Sequence, residues 1–228
     1  MFQKNQRNWW YYQMIKKIKV AIDSPAAAGA GTVAKAISKY FNLLYLDTGK
    51  IYRFIAFLKI KFPQKYSYKF IKKKIGSLKL KDLEKKVLLN DDIGTIASII
   101  AKDKKVRKLV HNFQISCAYR FPKKFNGSCL DGRDITYRII PDANFKFFIT
   151  ASLKVRAIRR YRELRKLGKK TTLKDVKKSI KIRDYSDYNR RISPLKRTKD
   201  SILINTSNLT KSACFLKIKN IIEKETKN

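Results

Sequence analysis

The sequence predicts an α/β fold in which five parallel strands form one doubly wound sheet. Three observations carry that expectation. Short apolar runs bounded by turn residues alternate with longer stretches at helical spacing. An Ala- and Gly-rich turn joins the first run to the first helical stretch. The chain's 228 residues suit one domain large enough to bury a core.

In chain order, Ile18 to Ile22 is the first strand, and Val33, Ala34, Ile37, Tyr40 and Phe41 follow at helical spacing. Leu43 to Leu46 reads as a second buried strand, and Gly49 to Ile60 as a helix with Ile51, Ile55 and Leu58 on one side. The Lys-rich segment from Lys61 to Lys86, with Pro63 and Gly76, breaks the rhythm and reads as an insert. Helical spacing returns from Asp91 to Lys108, and a further helix runs to Tyr119, before Pro122. Ser128 to Leu130, Phe145 to Ile149 and Ile202 to Ile204 complete the strands. Between the last two, Ser152 to Leu167 and Leu173 to Tyr185 form a basic helical hairpin turned at Gly168, with Thr172 and Asp175 as a capping box. Thr210 to Glu223 closes the fold as a helix.

Lys and Arg number 55 against 17 Asp and Glu, a formal net charge of +38, so the surface attracts polyanions. The basic residues are spread along the whole chain, which reads as a general residue bias rather than one nucleic-acid stripe. Cys117, Cys129 and Cys214 are odd in number and lack CxxC spacing, against a disulfide framework or zinc site. They read as small buried hydrophobes. A lone histidine, His111, leaves His-based metal sites and Ser/His/Asp triads unsupported, and reads as structural. No apolar run approaches the roughly 18 residues of a membrane span, and Met1 to Gln13 is a poor signal peptide. The expected compartment is the cytoplasm. Residues 1–13 precede a second methionine, Met14, and read as an extension or an upstream start, or as aromatic pairs packed on the domain.

The chemistry gathers where strands end. Asp23, Ser24, Pro25, Ala26, Ala27, Ala28, Gly29, Ala30, Gly31 and Thr32 follow a strand and open a helix, the setting in which backbone N–H groups surround an anion. Thr32 offers a hydroxyl to Mg²⁺. Thr48, Gly49 and Arg53 follow the second strand. Asp131-Gly132-Arg133-Asp134 ends the third, on the side where ligands collect in open α/β sheets. Arg183, Asp187 and Arg190 are spaced to share a helix face.

These segments, in this order, resemble bacterial cytidylate kinase, whose motifs run IDGPAxxGKGT, LDTGxxYR, VRxxLxxxQ, DGRDxGTxxxPDAxxKxFxTA and RDxxDxxRxxxPLxxAxDAxxxDT. They stand here at Ile22 to Thr32, Leu46 to Arg53, Val106 to Gln114, Asp131 to Ala151 and Arg183 to Thr206. The resemblance implies a P-loop fold with strand order 2-3-1-4-5, and a kinase that moves a phosphoryl group from ATP to CMP or dCMP. It implies an N-terminal extension over 1–17, the domain over 18–222, with a monophosphate-binding insert at about 61–105 and a lid at about 152–190, and a tail over 223–228. By resemblance Thr48 and Arg53 hold the CMP side, Arg107, Arg133 and Asp134 take its base or phosphate, and Arg183, Asp187 and Arg190 handle sugar and phosphates. Arg159 and Arg160 on the hairpin contact ATP. The expected protein is a monomer with no dedicated nucleic-acid or membrane partner.

Three departures stand out: Ala30 replaces the phosphate-loop lysine, Ser24 its preceding glycine, and Leu89 an arginine. Losing one preorganised donor to the transferred group costs roughly 10²–10³ in rate. This leaves a catalytically weakened or non-catalytic nucleotide- or RNA-binding relative as the alternative reading, with another monophosphate as acceptor a further one. Lys50, where the family has a small or apolar residue, is the candidate to deliver the missing ammonium from the neighbouring loop.

Overall fold

The computed structural model describes residues 17–227; the expectation for residues 1–13 lies outside them. Five strands, β1 (Ile18–Asp23), β2 (Leu44–Asp47), β3 (Gly127–Gly132), β4 (Phe145–Thr150) and β5 (Ile202–Asn205), pair in the order β2-β3-β1-β4-β5. Every pairing is parallel, as predicted. β1 lies beside β3 with Ile18 against Gly127 and Asp23 against Gly132. A Cβ on Gly127 would stand 1.9 Å from the Ile18 carbonyl oxygen, so only glycine lets the two strands start together.

Both faces of the sheet are covered, as a parallel sheet requires. Side chains alternate between faces, so Val20 and Ile22 meet Val33 and Ile37 of α1 (Ala30–Phe41) and Ile218 and Ile222 of α8 (Lys211–Lys227). On the other face Ala21, Leu46 and Leu130 meet Ile51 and Ile55 of α2 (Gly49–Lys61). The same core takes in α3 (Tyr68–Gly76), α4 (Asp91–Ile100) and α5 (Lys104–Tyr119). The three cysteines are buried and free, as expected.

The run expected to be helical from 91 to 108 breaks at Ala101 to Asp103. The Asp103 carboxylate accepts hydrogen bonds from the N–H groups of Lys105 (2.7 Å) and Val106 (3.1 Å), capping a new helix. A single turn at Ile135–Ile139, unforeseen in the sequence, follows β3. The hairpin pairs α6 (Leu153–Lys166) with α7 (Leu173–Asn189), which meet in a small apolar cluster of Ala157, Leu164, Val176 and Ile180. Gly168 turns between them at φ +73°, and Thr172 caps α7 by accepting the Asp175 N–H at 3.1 Å. Among the described residues no helix is long and apolar enough to cross a membrane.

Candidate active site

A cleft of about 990 Å³ opens beyond the C-terminal ends of the strands, between the turn after β1, the start of α2, the turn after β3 and the hairpin. Ser24 and Ala26 to Thr32 line it. Gly29, at φ +91°, swings the chain into α1, whose first N–H groups have no intrahelical partner and suit an anion. Ala27 reaches φ +59°, a left-handed conformation an L-residue adopts at a cost of order 1 kcal/mol.

The hairpin holds this loop in shape. Arg156 donates to the Ala26 carbonyl (3.0 Å), the Ala151 carbonyl (2.9 Å) and the Asp184 carboxylate (2.6 Å), while Asp184 accepts the Ala26 N–H at 3.2 Å. Arg159 donates to the Thr206 hydroxyl (2.9 Å) and carbonyl (2.7 Å), and Thr206 donates to the Ala28 carbonyl at 3.1 Å. A Cβ on Gly29 would lie 3.8 Å from an Arg159 Nη, so this guanidinium stands beside the loop. Arg160 lines the cleft and pairs with Glu163 at 2.8 Å.

Two expectations for the loop need correction. Pro25 is not among the residues lining the cleft, and Asp23 is fully buried and faces the other way. Asp23 accepts hydrogen bonds from the N–H groups of Ile135 (2.8 Å) and Thr136 (2.9 Å) and from the Thr136 hydroxyl (2.6 Å). It therefore fixes the turn that presents Arg133 and Asp134. Burial pushes its carboxyl up to about 6 against those three donors.

On the opposite side of the cleft the charges interlock. Arg107 and Asp134, 7 % and 4 % exposed, form a buried ion pair, and Arg107 also donates to the Ala101 carbonyl at 3.0 Å. Arg133 donates through Nε to Asp187 at 2.8 Å, and Arg190 reaches the other Asp187 oxygen at 3.4 Å. Burial opposes ionisation of Asp187, but Arg133 and Arg183 hold its carboxyl below the usual range. Arg183 is left over. Its Nε is closed from solvent without a hydrogen-bond partner, 4.0 Å from Asp187, and burial together with the Arg133 charge pushes it down to about 10. Arg53 donates to the carbonyls of Leu88 (2.8 Å) and Asn90 (2.9 Å) and lies across Gly94, where a Cβ would stand 2.8 Å from its Nη. The Thr48 hydroxyl donates to the Asp131 carbonyl at 2.8 Å.

Lys50 sits in the first turn of α2 and is not among the residues lining the cleft; its charge acts on the Asp131 carboxyl, which lies beside Gly31 of the loop. That carboxyl is raised well above its usual range by burial and by neighbouring Asp47. Tyr45 donates to it at 3.2 Å, and a Cβ on Gly31 would stand 3.0 Å from it. Sequence reasoning gave no role to Arg156, Asp184, Thr206 or Asp131. Each lies inside or beside a matched motif, but only tertiary contacts show that three of them brace the phosphate loop.

A family model described as cytidylate kinase matches residues 20–224. A cytidylate kinase of Clostridium botulinum (strain Okra / Type B1) is 39% identical over 223 residues, covering 91% of this chain and 99% of that protein. One of Clostridium tetani (strain Massachusetts / E88) is 36% identical over 220 residues, covering 91% and 94%. A crystal structure of an uncharacterized protein from Eubacterium ventriosum ATCC 27560 superposes with TM-score 0.51 at 16% identity, over 91% of this chain and 99% of that one, which supports the fold. The alternative of a non-catalytic nucleotide- or RNA-binding relative finds no support in these likenesses. With the family matched over nearly all of the described residues and its motifs gathered around one cleft, the chain belongs to the cytidylate kinase family.

Proposed function

We propose that the chain transfers the terminal phosphoryl group of ATP to the 5′-phosphate of CMP or dCMP, working as a monomer in the cytoplasm. One observation carries the reading: Arg183, with a guanidinium nitrogen left without an acceptor, lines a single cleft together with an amide-lined phosphate loop. That nitrogen is buried, and the Arg183 charge is disfavoured by its surroundings. A dianionic phosphate beside Arg183 supplies the acceptor that its Nε lacks, with Arg133 and Arg53 in the same cleft lining.

The residues divide the work. The amides of the loop and of the α1 N-terminus hold the donor phosphates, with Arg159 and Arg160 of the hairpin, acting as a lid, above them. Arg107 and Asp134 present a donor and an acceptor edge suited to the cytosine amide-like face, and the insert containing α3 and α4 closes that side through Arg53. Phosphoryl transfer needs in-line positioning and charge neutralisation more than a protein nucleophile. Ala30 contributes neither, so the neutralising role of the missing lysine falls to Arg159 and Arg183.

Mg²⁺ fits the donor set. Among the described residues no group of three or more His, Cys, Asp or Glu forms a metal cage. Thr32 and Asp47 line the cleft beside Asp131, which suits a cation that takes most of its ligands from phosphates and water. When bound, it would neutralise charge on the donor phosphates.

A coupled assay with CMP, dCMP, UMP and AMP tests the assignment. CMP and dCMP should turn over at least about tenfold better in kcat/KM than UMP and AMP, the discrimination expected of a polar base site. Equal turnover of all four, or none with any, would refute it.

A further inference from the structure

A second cavity, of about 230 Å³, adjoins the cleft between α5 and the turn Ile135–Ile139. It shares Tyr52, Arg107 and Asp134 with the cleft, and Arg107 and Gln114 come from the VRxxLxxxQ motif, whereas Lys108 and His111 stand at its variable positions and Lys104 lies just before it. Lys104, Lys108 and His111 project into it from α5, one helical turn apart, with Gln114 beyond them; Arg138 enters from the facing turn.

The lining is unbalanced in charge. Its one carboxylate, Asp134, is already engaged by Arg107, and among the described residues Lys104, Lys108 and Arg138 form no ion pair. Three cations, all of them solvent-exposed, therefore line the space with no anion of their own. A polar atom waits as well: His111 Nδ1 is closed from solvent and lacks a hydrogen-bond partner. Leaving such an atom unpaired costs about 1–3 kcal/mol. Gln114, only 2 % exposed, adds a buried amide to the wall. The volume falls below the roughly 300–1,000 Å³ that drug-sized ligands occupy, and so suits a phosphate-sized ion with a few waters.

We propose that this cavity binds a small tetrahedral oxyanion, through Lys104, Lys108, Arg138 and the His111 ring, directly behind the Arg107–Asp134 pair. It is separate from the phosphate positions of the main cleft and stands whether or not the chain prefers CMP.

His111 is the chain's only histidine, so its imidazole gives one unambiguous set of NMR signals. The full chain is titrated with sodium phosphate while sodium chloride keeps the ionic strength constant. Burial, Arg138 and Arg107 disfavour the imidazolium, with Asp134 opposing them and Lys104 and Lys108 adding positive charge nearby. An anion among these cations should move the His111 signals saturably and raise its pKa. Lys104→Ala with Lys108→Ala should weaken the apparent affinity about fivefold or more, whereas Lys→Arg at both positions should preserve it. No saturable shift would overturn the proposal. So would an equal affinity in the alanine variant, since a shift relayed from the main cleft would survive there.

Discussion

Asp134→Ala removes the carboxylate that balances Arg107 and leaves a guanidinium stranded at 7 % exposure. Breaking a buried pair by deleting one partner costs about 3–5 kcal/mol. The lower end applies here, because Arg107 keeps the Ala101 carbonyl at 3.0 Å and the Tyr52 ring 5.7 Å away, and the cleft admits water. At about 2.1 cal/mol/K per residue, a chain of this length unfolds with an entropy near 0.5 kcal/mol/K, so a loss of about 3 kcal/mol lowers Tm by about 6 °C. Adding Arg107→Met to Asp134→Ala removes the stranded charge and should recover most of that stability without restoring CMP binding. Thermal denaturation measures the first quantity and calorimetry the second, with ATP affinity expected to stay within a few fold. A Tm loss below about 2 °C, or CMP affinity unchanged in Asp134→Ala, would refute the reasoning.

The other side chains make separable predictions. Arg183→Ala should leave Tm unchanged or slightly raised, because it deletes a cation crowded by Arg133, yet lower kcat/KM for CMP by about 10²–10³; a large loss of Tm with normal kinetics would contradict it. Gly94→Ala should strengthen α4 by up to about 1 kcal/mol while pushing Arg53 out of place and raising KM for CMP, a split visible by comparing Tm with kinetics. Asp23 holds its proton more tightly folded than unfolded, from 3.8 to about 6, so its contribution to stability is present below about pH 4 and lost as pH rises to about 6. The stability of wild type relative to Asp23→Asn, from urea unfolding, should fall across that window by on the order of 2–3 kcal/mol. A flat difference would show that the three donated hydrogen bonds offset burial, and a rise with pH that they outweigh it.

The sheet was legible because its signal is local. Each strand is a short apolar run, and each crossover helix repeats its apolar residues every third or fourth position. The acceptor side was legible too: Arg183 and Asp187 stand one turn apart on α7, Arg190 follows directly after its last residue, and Arg133 joins them from the end of β3. What stayed hidden depends on direction. A carboxylate one residue beyond a strand looks ready to face a ligand, yet Asp23 turns inward because the N–H groups of Ile135 and Thr136 are waiting there. The exchange between Ala30 and Lys50 looks reciprocal in sequence, but a place in the first turn of α2 does not by itself put Lys50 in the cleft wall, and it is not among the lining residues. The break at Asp103 was hidden for a simpler reason: the apolar period continues across it, and one carboxylate accepting two N–H groups restarts the helix.

Ala26 is held at both its N–H and its carbonyl by the hairpin, through Asp184 near the end of α7 and Arg156 near the start of α6. In mechanical terms the hairpin is a cantilever clamped at its root, with Gly168 at the free tip. From Arg156 to the end of α6 the arm is about 15 Å long at 1.5 Å per residue. A flex of about ten degrees at the root would sweep the tip through only about 3 Å on that arm. Larger strokes must come from bending along α6 and α7, whose mutual contact is a thin apolar seam, while the phosphate loop beneath the clamp stays still.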